Sequence, residues 1–202
     1  MKIKTILTLI LIIIPLNVYG NFLKLNTPAK QVILYDHALK KVLFEKNSND
    51  FMKPASMAKI MTAYIVFDRL QEGSLSLDDR FVVSKNAWQK GGSRTFLKLN
   101  SEVTIRDLLM GLIVQSGNDA AIVLAEGIAG SEEDFAIQMN QYANSLEMKN
   151  THFTNSTGWP HEDLKTTAYD LIILTEALIN NFPKLYKLFV EKEFTFNNIR
   201  QP

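Results

Sequence analysis

The stretch PASMAKIMTAY, residues Pro54 to Tyr64, places a serine and a lysine three positions apart at the predicted start of a helix. Apolar residues recur at helical spacing between positions 60 and 67, so we expect an amphipathic helix over about 56–70. Residues three apart on a helix share a face. The spacing therefore predicts that the hydroxyl of Ser56 and the amine of Lys59 lie within reach of each other.

The chemistry of this pair depends on the charge of Lys59. A serine hydroxyl is a weak nucleophile and needs a neighbouring base, which a neutral lysine amine can supply. An exposed lysine has a pKa of about 10.4, whereas burial lowers it, and the residues around Lys59 are apolar. We therefore expect Lys59 to accept the proton of Ser56. The same spacing also arises by chance, and the alternative is that Ser56 caps the helix while Lys59 extends into solvent.

A second short segment carries side chains that suit the same chemistry. QSGNDAA, residues 115–121, lies between two predicted helices and places a hydroxyl and a carboxamide around a glycine. Ser116 can relay a proton between Lys59 and a leaving amine, and Asn118 can hold the lysine or bind a substrate amide. The alternative is an ordinary turn in which Asn118 caps the following helix. The similar triplet SKN, residues 84–86, lacks this setting between two helices and is interpreted as a loop.

Strand and helix signals elsewhere predict an α+β fold. Alternating residues predict a hairpin of Gln31–Tyr35 and Lys41–Glu45, and RFVVS and TFLKL are strand-like. Capping signals start further helices at Thr104, Asn118, Ser131 and Thr167. A short helical piece follows Pro183, and a last strand is predicted at Glu193–Phe196. We expect a helical cluster packed on an antiparallel sheet that is incomplete in this chain, because a stable sheet usually needs more strands.

The composition excludes several classes of function. The 202 residues carry 22 basic and 21 acidic side chains, a net charge of +1, which leaves no basic surface for a nucleic-acid partner. There is no cysteine, and the three histidines form no metal-binding pair, so neither a zinc site nor a cysteine nucleophile is expected. Acidic groups at 78–79 and 132–134 are interpreted as solvated charge. We expect no metal and no cofactor.

The first 20 residues have the pattern of a secretory signal peptide. Lys2 and Lys4 precede the apolar run Ile6–Ile14. This run is shorter than the roughly 20 residues that span a bilayer. We expect an exported protein that contacts the membrane only through this segment, with residues 21–202 as the folded domain. An uncleaved membrane tether is the alternative.

The two motifs together resemble a known family. PASMAKIMTAY and IVQSGNDAAIVLAE look like the first two active-site motifs of the serine D-alanyl-D-alanine carboxypeptidases, low-molecular-mass penicillin-binding proteins of the penicilloyl-serine transferase family. The resemblance extends over Val32–Pro202 and includes GGSRTFLKLNSEVTIRDLL, NTHFTNSTG and KEFTFNNIRQP. It implies a β-lactamase/transpeptidase-like fold and a bacterial protein in the periplasm or on the outer face of the cytoplasmic membrane.

The resemblance also implies a role for each matching residue. Ser56 would be the acylated nucleophile, with Lys59 as the proton acceptor. Ser116 would be the third catalytic group, and Asn118 would contact the substrate. The implied reaction removes the terminal D-alanine from peptidoglycan pentapeptide stems through an acyl-serine, and β-lactams would acylate the same serine. Asp170, in TTAYD, matches an acidic position that supports deacylation, and the alternative is that it only completes a helix cap.

The chain departs from the family pattern in its third motif. The family places Lys-Thr-Gly on a strand beside the nucleophile, after the KEFTFNNIRQP segment, and no such triplet occurs in the 202 residues. We therefore expect a truncated or split gene product, or a fragment, that is poorly stable and inactive alone. A second polypeptide that supplies the missing half is one of these alternatives. The loss of one oxyanion donor alone lowers a rate by about 10²–10³.

Two other functions are alternatives. A class A β-lactamase shares the first two motifs and needs a further carboxylate. EALIN, residues 176–180, has a superficially similar spacing, but Glu176 is interpreted as a solvated helix charge and Asn180 as a C-terminal cap. The second alternative is a non-catalytic remnant that binds muropeptides or a protein partner, which the missing motif favours. Rapid penicillin hydrolysis would indicate the first, and binding of a D-Ala-D-Ala peptide without product release would indicate the second.

Overall fold

Short strand pairs alternate with helices over the residues that the computed structural model describes, 25–201. The predicted signal segment at 1–20 and Pro202 lie outside the described residues. The strands are β1 (Val32–Asp36), β2 (Lys41–Lys46), β3 (Arg80–Val82), β4 (Glu102–Thr104), β5 (Phe194–Phe196) and β6 (Ile199–Gln201). The α-helices are α1 (Lys59–Glu72), α2 (Lys85–Gln89), α3 (Ile105–Ile113), α4 (Asn118–Ala129), α5 (Glu132–Ser145) and α6 (Ala168–Asn181). Two 3₁₀ turns occupy Ala55–Ala58 and Leu185–Val190.

The strands form three separate antiparallel pairs within the described part of the chain: β1 with β2, β3 with β4, and β5 with β6. In the first pair Val32 faces Lys46, which confirms the predicted hairpin. The predicted late strand pairs with β6 instead of joining the hairpin, across a turn in which Asn197 and Asn198 have φ of 49° and 62°. Asparagine adopts such positive φ values more readily than most residues. The α+β class is confirmed, with small sheets.

Helices α1 and α4 form the centre of the core. α1 buries Met61, Ile65 and Phe67 completely, and every residue from Asn118 to Ala125 of α4 is buried. A helix that is buried on all sides needs cover from several neighbours. α2, α3 and α5 contact α4, while α6 contacts α1 and β1. Within residues 25–201, no helix has both the length and the apolar composition needed to cross a membrane.

Aromatic side chains fix the end of α6 and the following 3₁₀ turn on α1. Phe182 makes edge-to-face contacts with Tyr64 and Phe67, with ring centroids 5.0 and 5.9 Å apart. Phe189 meets Phe67 in the same way at 6.3 Å. Such pairs contribute about 0.5–1.5 kcal/mol beyond the burial of their area. They hold Phe189 against α1, where it lines a cavity together with Lys59 and Ile60.

Two local predictions between α1 and α3 are wrong. TFLKL, at 95–99, is not a strand, because the N–H groups of Thr95 and Leu97 donate to the carboxylate of Asp119 at 2.8 and 3.1 Å. SKN is not a loop, because Ser84 caps α2 and its Oγ accepts a hydrogen bond from Ala87 N at 3.0 Å. In both places the oxygen atoms of a single side chain accept the hydrogen bonds of the backbone N–H groups. These N–H groups are therefore not available to a neighbouring strand.

The second half of α6 holds the β1–β2 hairpin, which corrects the interpretation of Glu176 as a solvated charge. The Glu176 side chain is 19% exposed, Lys40 Nζ lies 2.7 Å from its carboxylate, and His37 also bonds to it. Burial raises the pKa of Glu176, but the hydrogen bonds from Lys40 and His37 outweigh this effect and lower the pKa below its ordinary value. Asn180 is not a cap either, because α6 continues to Asn181.

Candidate active site

Ser56 lies on the 3₁₀ turn that leads into α1, and its side chain does not cap a helix. The turn follows Pro54, and α1 begins at Lys59 after Ala58, with no side-chain cap at either start. The α-helix therefore begins three residues later than predicted, and the capping alternative for Ser56 is wrong. Ser56 is exposed, so its hydroxyl is accessible to a substrate.

A glycine allows the neighbouring loop to reach this turn. Ala55, just before Ser56, has φ of 47°, a value that few residues other than glycine adopt. Gly158 has φ of 78°, and a Cβ there would lie 1.8 Å from the Ala55 carbonyl oxygen. A larger residue at 158 would therefore displace the turn that carries the serine.

Lys59 is buried behind Ser56, with 5% of its surface exposed. Its Nζ donates hydrogen bonds to Asn118 Oδ1 at 2.7 Å and to Thr157 O at 3.0 Å. The same nitrogen lies 3.3 Å from Ser56 Oγ. The alternative in which Lys59 extends into solvent is therefore wrong, and the amine and the hydroxyl meet as their spacing predicts.

Burial lowers the pKa of Lys59 from 10.5 to about 8, while the negative charge of Asp119 opposes this shift. Taking an ammonium out of water disfavours the charged form. At pH 7, a pKa of about 8 leaves about one amine in ten neutral, against about one in 3,000 for an exposed lysine. The neutral amine can accept the Ser56 proton, so the pair is suited to general-base activation of a serine.

Ser116 opens onto the same cavity as Ser56 and Lys59. The remaining walls of this cavity, which has a volume of about 260 Å³, are apolar: Met57, Ile60, Leu112, Ile113 and Phe189. Ser116 lies in the turn before α4 with φ of 56°. Residues other than glycine rarely adopt this conformation, and those that do cluster at functional sites. The structure thus brings the three side chains predicted to be catalytic to one cavity.

Asn118 is the first residue of α4, and its side chain faces Lys59 instead of capping the helix. α4 follows Gly117 without a side-chain cap, so the capping alternative is wrong. Asn118 Oδ1 accepts from Lys59 Nζ, while Nδ2 donates to Gly91 O at 2.8 Å. The backbone N–H of Asn118 also donates to Ser93 O at 2.8 Å. The amide is therefore held on both sides.

Asp170 does not line this cavity, and it fixes a turn elsewhere. Its N–H donates to Thr167 Oγ1 at 3.0 Å, which is the predicted capping interaction. Its carboxylate accepts from Asn150 N at 2.8 Å and from Thr151 Oγ1 at 2.7 Å. Among the described residues, no hydrogen bond joins Asp170 to Ser56, so its role in deacylation stays a prediction.

The NSTG turn, residues 155–158, supplies a contact that the motifs did not predict. Asn155 Oδ1 accepts from the N–H and the Oγ1 of Thr157 at 3.2 and 2.9 Å, which shapes the turn. Thr62 of α1 donates to Ser156 O at 2.7 Å. The turn thereby presents the Thr157 carbonyl to the buried amine. Its residue types are typical of turns, but that composition does not show which carbonyl faces the site.

The arrangement suits acyl transfer to a serine. The cavity is lined by a serine hydroxyl, a partly neutral amine and a second hydroxyl. The amine can activate the first hydroxyl, and the second can pass a proton to a leaving group. Over residues 25–201, no three histidine or acidic side chains are arranged to hold a metal ion.

The sequence matches a family model over residues 22–202, and that model describes the D-alanyl-D-alanine carboxypeptidases. The chain belongs to the D-alanyl-D-alanine carboxypeptidase family. The resemblance carried by the SxxK and SGN segments is therefore confirmed, and the family assignment covers almost the whole sequence. It does not by itself assign a role to any one residue of the site.

Several carboxypeptidases and penicillin-binding proteins share this similarity. D-alanyl-D-alanine carboxypeptidase DacC of Escherichia coli K12 is 44% identical over 183 residues, which are 88% of this chain and 46% of that protein. The structure of D-alanyl-D-alanine carboxypeptidase DacD from Francisella tularensis has a TM-score of 0.84 at 39% identity, and the match covers 88% of this chain and 43% of that one. Penicillin-binding protein D2 from Listeria monocytogenes, in its ampicillin-bound form, has a TM-score of 0.76 at 25% identity, over 86% of this chain and 71% of that one.

These comparisons confirm the predicted fold of the carboxypeptidase family and define how much of it the chain covers. The chain spans less than half the length of DacC and of DacD. The part that the family model matches, residues 22–202, contains both motif segments and the cavity between them.

Proposed function

We propose that this chain carries the acylating site of a serine D-alanyl-D-alanine carboxypeptidase, which removes the terminal D-alanine from peptidoglycan pentapeptide stems. The observation that carries the proposal is the buried Lys59 amine, which lies 3.3 Å from Ser56 Oγ and has a pKa lowered to about 8. Relatives that are named for this activity, DacC at 44% and DacA of Escherichia coli K12 at 38% identity, support the substrate class.

In the proposed acylation, Ser56 attacks the carbonyl carbon of the penultimate D-alanine while its proton passes to the neutral amine of Lys59. The peptide C–N bond then breaks, and the leaving amine takes up a proton that Ser116 relays from Lys59. The products are free D-alanine and a stem peptide esterified to Ser56. Water then hydrolyses the ester, with Lys59 as the base, and restores the serine.

Asn118 has the polar groups to serve both the lysine and the substrate. Its oxygen is bound to Lys59, and one N–H of its side chain is bound to Gly91 O. A carboxamide nitrogen carries two N–H groups, so the second can donate to a substrate carbonyl. A part for Asp170 in deacylation would have to act at a distance, because its carboxylate is bound to the turn at 150–151.

β-Lactams are the proposed covalent inhibitors of the same site. Attack of Ser56 on the lactam carbonyl breaks the ring amide and leaves an ester on the same oxygen, so the ligand reacts as the substrate would. The ampicillin-bound form of penicillin-binding protein D2 supports this for a related protein.

The proposed enzyme takes its Lys-Thr-Gly strand from further polypeptide, in the same chain or in a second one, because the triplet does not occur in the 202 residues. Residues 21–202 would then form one part of the catalytic domain. By the family resemblance, the strand would contribute a cation and a hydroxyl for the substrate carboxylate, together with an oxyanion N–H.

The proposed reaction places the protein outside the cytoplasm, in the periplasm or on the outer face of the cytoplasmic membrane. The signal-like pattern of residues 1–20 supports export. Contact with the membrane would be limited to that segment. The proposed partners are stem peptides, β-lactams and the polypeptide that carries the third motif.

Labelling with a fluorescent penicillin tests the proposal. The purified chain is incubated with the reagent for up to a day, and the labelled residue is located by mass spectrometry. The chain alone is predicted to be inactive as a carboxypeptidase, so we expect only slow, single-turnover label on Ser56, at a rate about 10²–10³ below that of DacC because an oxyanion donor is missing. Label as fast as that of DacC would refute the predicted inactivity. Ser56→Ala and Lys59→Met should abolish the label, and Ser145→Ala, at the end of α5, should not. Label on another residue, or none on a chain whose circular dichroism shows it folded, would overturn the proposal.

The structure bears differently on the two alternative functions. The β-lactamase alternative needs a carboxylate at the site, but Glu176 is bound to Lys40 and His37 and does not line the cavity. The binding alternative draws support from the missing third motif. Binding of a D-Ala-D-Ala peptide in equilibrium dialysis, with neither an acyl-serine nor released D-alanine, would favour it.

A further inference from the structure

A buried carboxylate that the proposed reaction does not use lies next to Asn118. Asp119 is completely buried as the second residue of α4. Its Oδ1 accepts hydrogen bonds from Thr95 N at 2.8 Å and Ala120 N at 2.9 Å, and its Oδ2 accepts from Leu97 N at 3.1 Å. Burial of a charge is costly unless such donors compensate it. The carboxylate is therefore matched to backbone N–H groups from two parts of the chain.

Two of these donors belong to the irregular segment at residues 91–97, which we call the flanking segment. It lies outside the strand pairs described above and also supplies two carbonyls to Asn118. Gly91 O accepts from the Asn118 side chain and Ser93 O accepts from its backbone N–H, both at 2.8 Å. Asp119 thus accepts hydrogen bonds from the C-terminal end of the flanking segment, and Asn118 donates hydrogen bonds to its N-terminal end.

The flanking segment is packed against the start of α4 without spare room. A Cβ at Gly117 would lie 2.2 Å from Thr95 Oγ1, and a Cβ at Gly92 would lie 2.7 Å from Asn118 Nδ2. Gln201 Nε2 donates to Thr95 O at 3.0 Å. Because Gly91 and Ser93 are hydrogen-bonded directly to Asn118, movement of the segment would move the Asn118 amide.

We propose that Asp119 is a positioning residue that fastens the flanking segment to α4, so that the segment turns the oxygen of the Asn118 amide toward Lys59. The functional consequence rests on the proposed function, because the orientation affects catalysis only if Lys59 activates Ser56. Loss of the carboxylate releases the segment, and the Asn118 amide loses its fixed orientation. Lys59 then loses the acceptor that holds it beside the serine.

The charge of Asp119 cannot account for a contribution to catalysis, because it acts in the opposite direction. Burial lowers the pKa of Lys59, and the negative charge of Asp119 raises it. Removal of the charge would therefore increase the neutral fraction of Lys59 and favour acylation. A fall in the acylation rate when the carboxylate is lost must come from position.

Asp119→Asn tests the proposal, because it keeps the size of the side chain and replaces one acceptor oxygen with a donor. We expect the first-order rate constant of Ser56 acylation at saturating penicillin to fall about 100-fold, the loss that a misplacement of about 1 Å produces. A merely structural role would lower the labelled fraction and leave the rate constant of the folded fraction unchanged, and that result would overturn the proposal. Asp107→Asn, in the first turn of α3, controls for the loss of a carboxylate near a helix start.

A second readout does not need an active enzyme. In hydrogen exchange measured by NMR, the amides of Thr95 and Leu97 and the side-chain amide of Asn118 should exchange about 10-fold faster or more in Asp119→Asn than in Asp107→Asn. Unchanged exchange would overturn the inference even if the wild-type chain is acylated. Faster exchange in a chain that penicillin does not acylate would support the positioning role while the proposed function fails.

Gly92→Ala tests the same link from the flanking segment if Asp119→Asn does not fold. The added methyl group would lie 2.7 Å from Asn118 Nδ2. Gly73→Ala is the matched control, because the two glycines have φ of 80° and 77° and a Cβ at Gly73 would have no atom within 4 Å. We expect acylation to be about 10-fold slower or more in Gly92→Ala than in Gly73→Ala, and equal rates would overturn the proposal.

Discussion

The buried amine of Lys59 should make the stability of the folded chain depend on pH between 8 and 10.5. The pKa of Lys59 is about 8 in the folded chain, against 10.5 for an exposed lysine. Between these values the unfolded chain binds a proton that the folded chain does not, so the free energy of unfolding rises with pH by about 1.4 kcal/mol per pH unit. Over the whole window the rise is about 3 kcal/mol. Below pH 8 both states carry the proton, and the contribution is constant.

Urea unfolding of the wild type and of Lys59→Met, at intervals from pH 6 to 10.5, isolates this contribution. Methionine has a similar length and no charge, so the difference between the two proteins cancels the titration of the other groups. At pH 7 the variant escapes the cost of burying an ammonium but leaves Asn118 Oδ1 and Thr157 O without their donor, which costs about 1–3 kcal/mol. The gain from not burying an ammonium and the loss of the two hydrogen bonds offset each other at neutral pH. The stability difference at one pH is therefore not diagnostic, but its change with pH is.

We expect the free energy of unfolding of the wild type minus that of Lys59→Met to be constant below pH 8. Between pH 8 and 10.5 this difference should increase by about 3 kcal/mol. Lys98→Met, at an exposed position, measures the effect of losing a lysine in general. A wild-type minus Lys59→Met difference that stays constant from pH 8 to 10.5 would refute the reasoning, because it would mean that the amine titrates alike in the folded and unfolded chains.

Three further predictions concern the amine of Lys59, the turn at Gly158 and the contact of Glu176 with the β1–β2 hairpin. The rate of Ser56 acylation should rise about tenfold per pH unit up to about pH 8 and then level off, because in the proposed reaction only the neutral Lys59 amine activates the serine. Labelling stopped at fixed times across pH 5–10 measures this rate, and a flat profile would contradict the prediction. Gly158→Ala should destabilise the chain by about 1–3 kcal/mol more than Gly130→Ala in urea unfolding; the two sites share positive φ, but a Cβ at Gly130 would have no atom within 4 Å. Glu176→Gln should cost less than about 1 kcal/mol at neutral pH. Because the pKa of Glu176 is lowered in the folded chain, this cost should persist down to the ordinary glutamate pKa of about 4.3 and decline as the pH falls further; a cost that does not decline in stronger acid would count against the ion pairs.

Local signals predicted much of the fold because the contacts behind them are local. Thr104, Ser131 and Thr167 each accept a hydrogen bond from the N–H three residues later, so the pattern of the cap is visible in four consecutive residues. The contact between Ser56 and Lys59 is of the same kind. The turn at Asn197 and Asn198 also carries a local signal, which would have predicted β6.

The predictions that failed involve partners far away in the sequence. TFLKL has the alternation of a strand, but its N–H groups find Asp119, more than 20 residues later. Glu176 has the surroundings of a solvated helix residue, but its partners lie on the β1–β2 hairpin, 136 and 139 residues earlier. Periodicity records which face of an element is apolar, and it does not record which distant side chain satisfies a backbone group or a charge.

The side chain of Asn118 accepts a hydrogen bond with its oxygen and donates one with its nitrogen. An amide can do both, whereas the carboxylate of an aspartate, which has the same shape, cannot. The oxygen of Asn118 faces Lys59 Nζ at 2.7 Å and its nitrogen faces Gly91 O at 2.8 Å. A carboxylate would set an oxygen against the Gly91 carbonyl and a full negative charge against the amine, which would hold the lysine as an ammonium. Asn118→Asp, which exchanges a single heavy atom and adds no bulk, would therefore keep Lys59 protonated and prevent it from acting as a base while the rest of the protein stays intact.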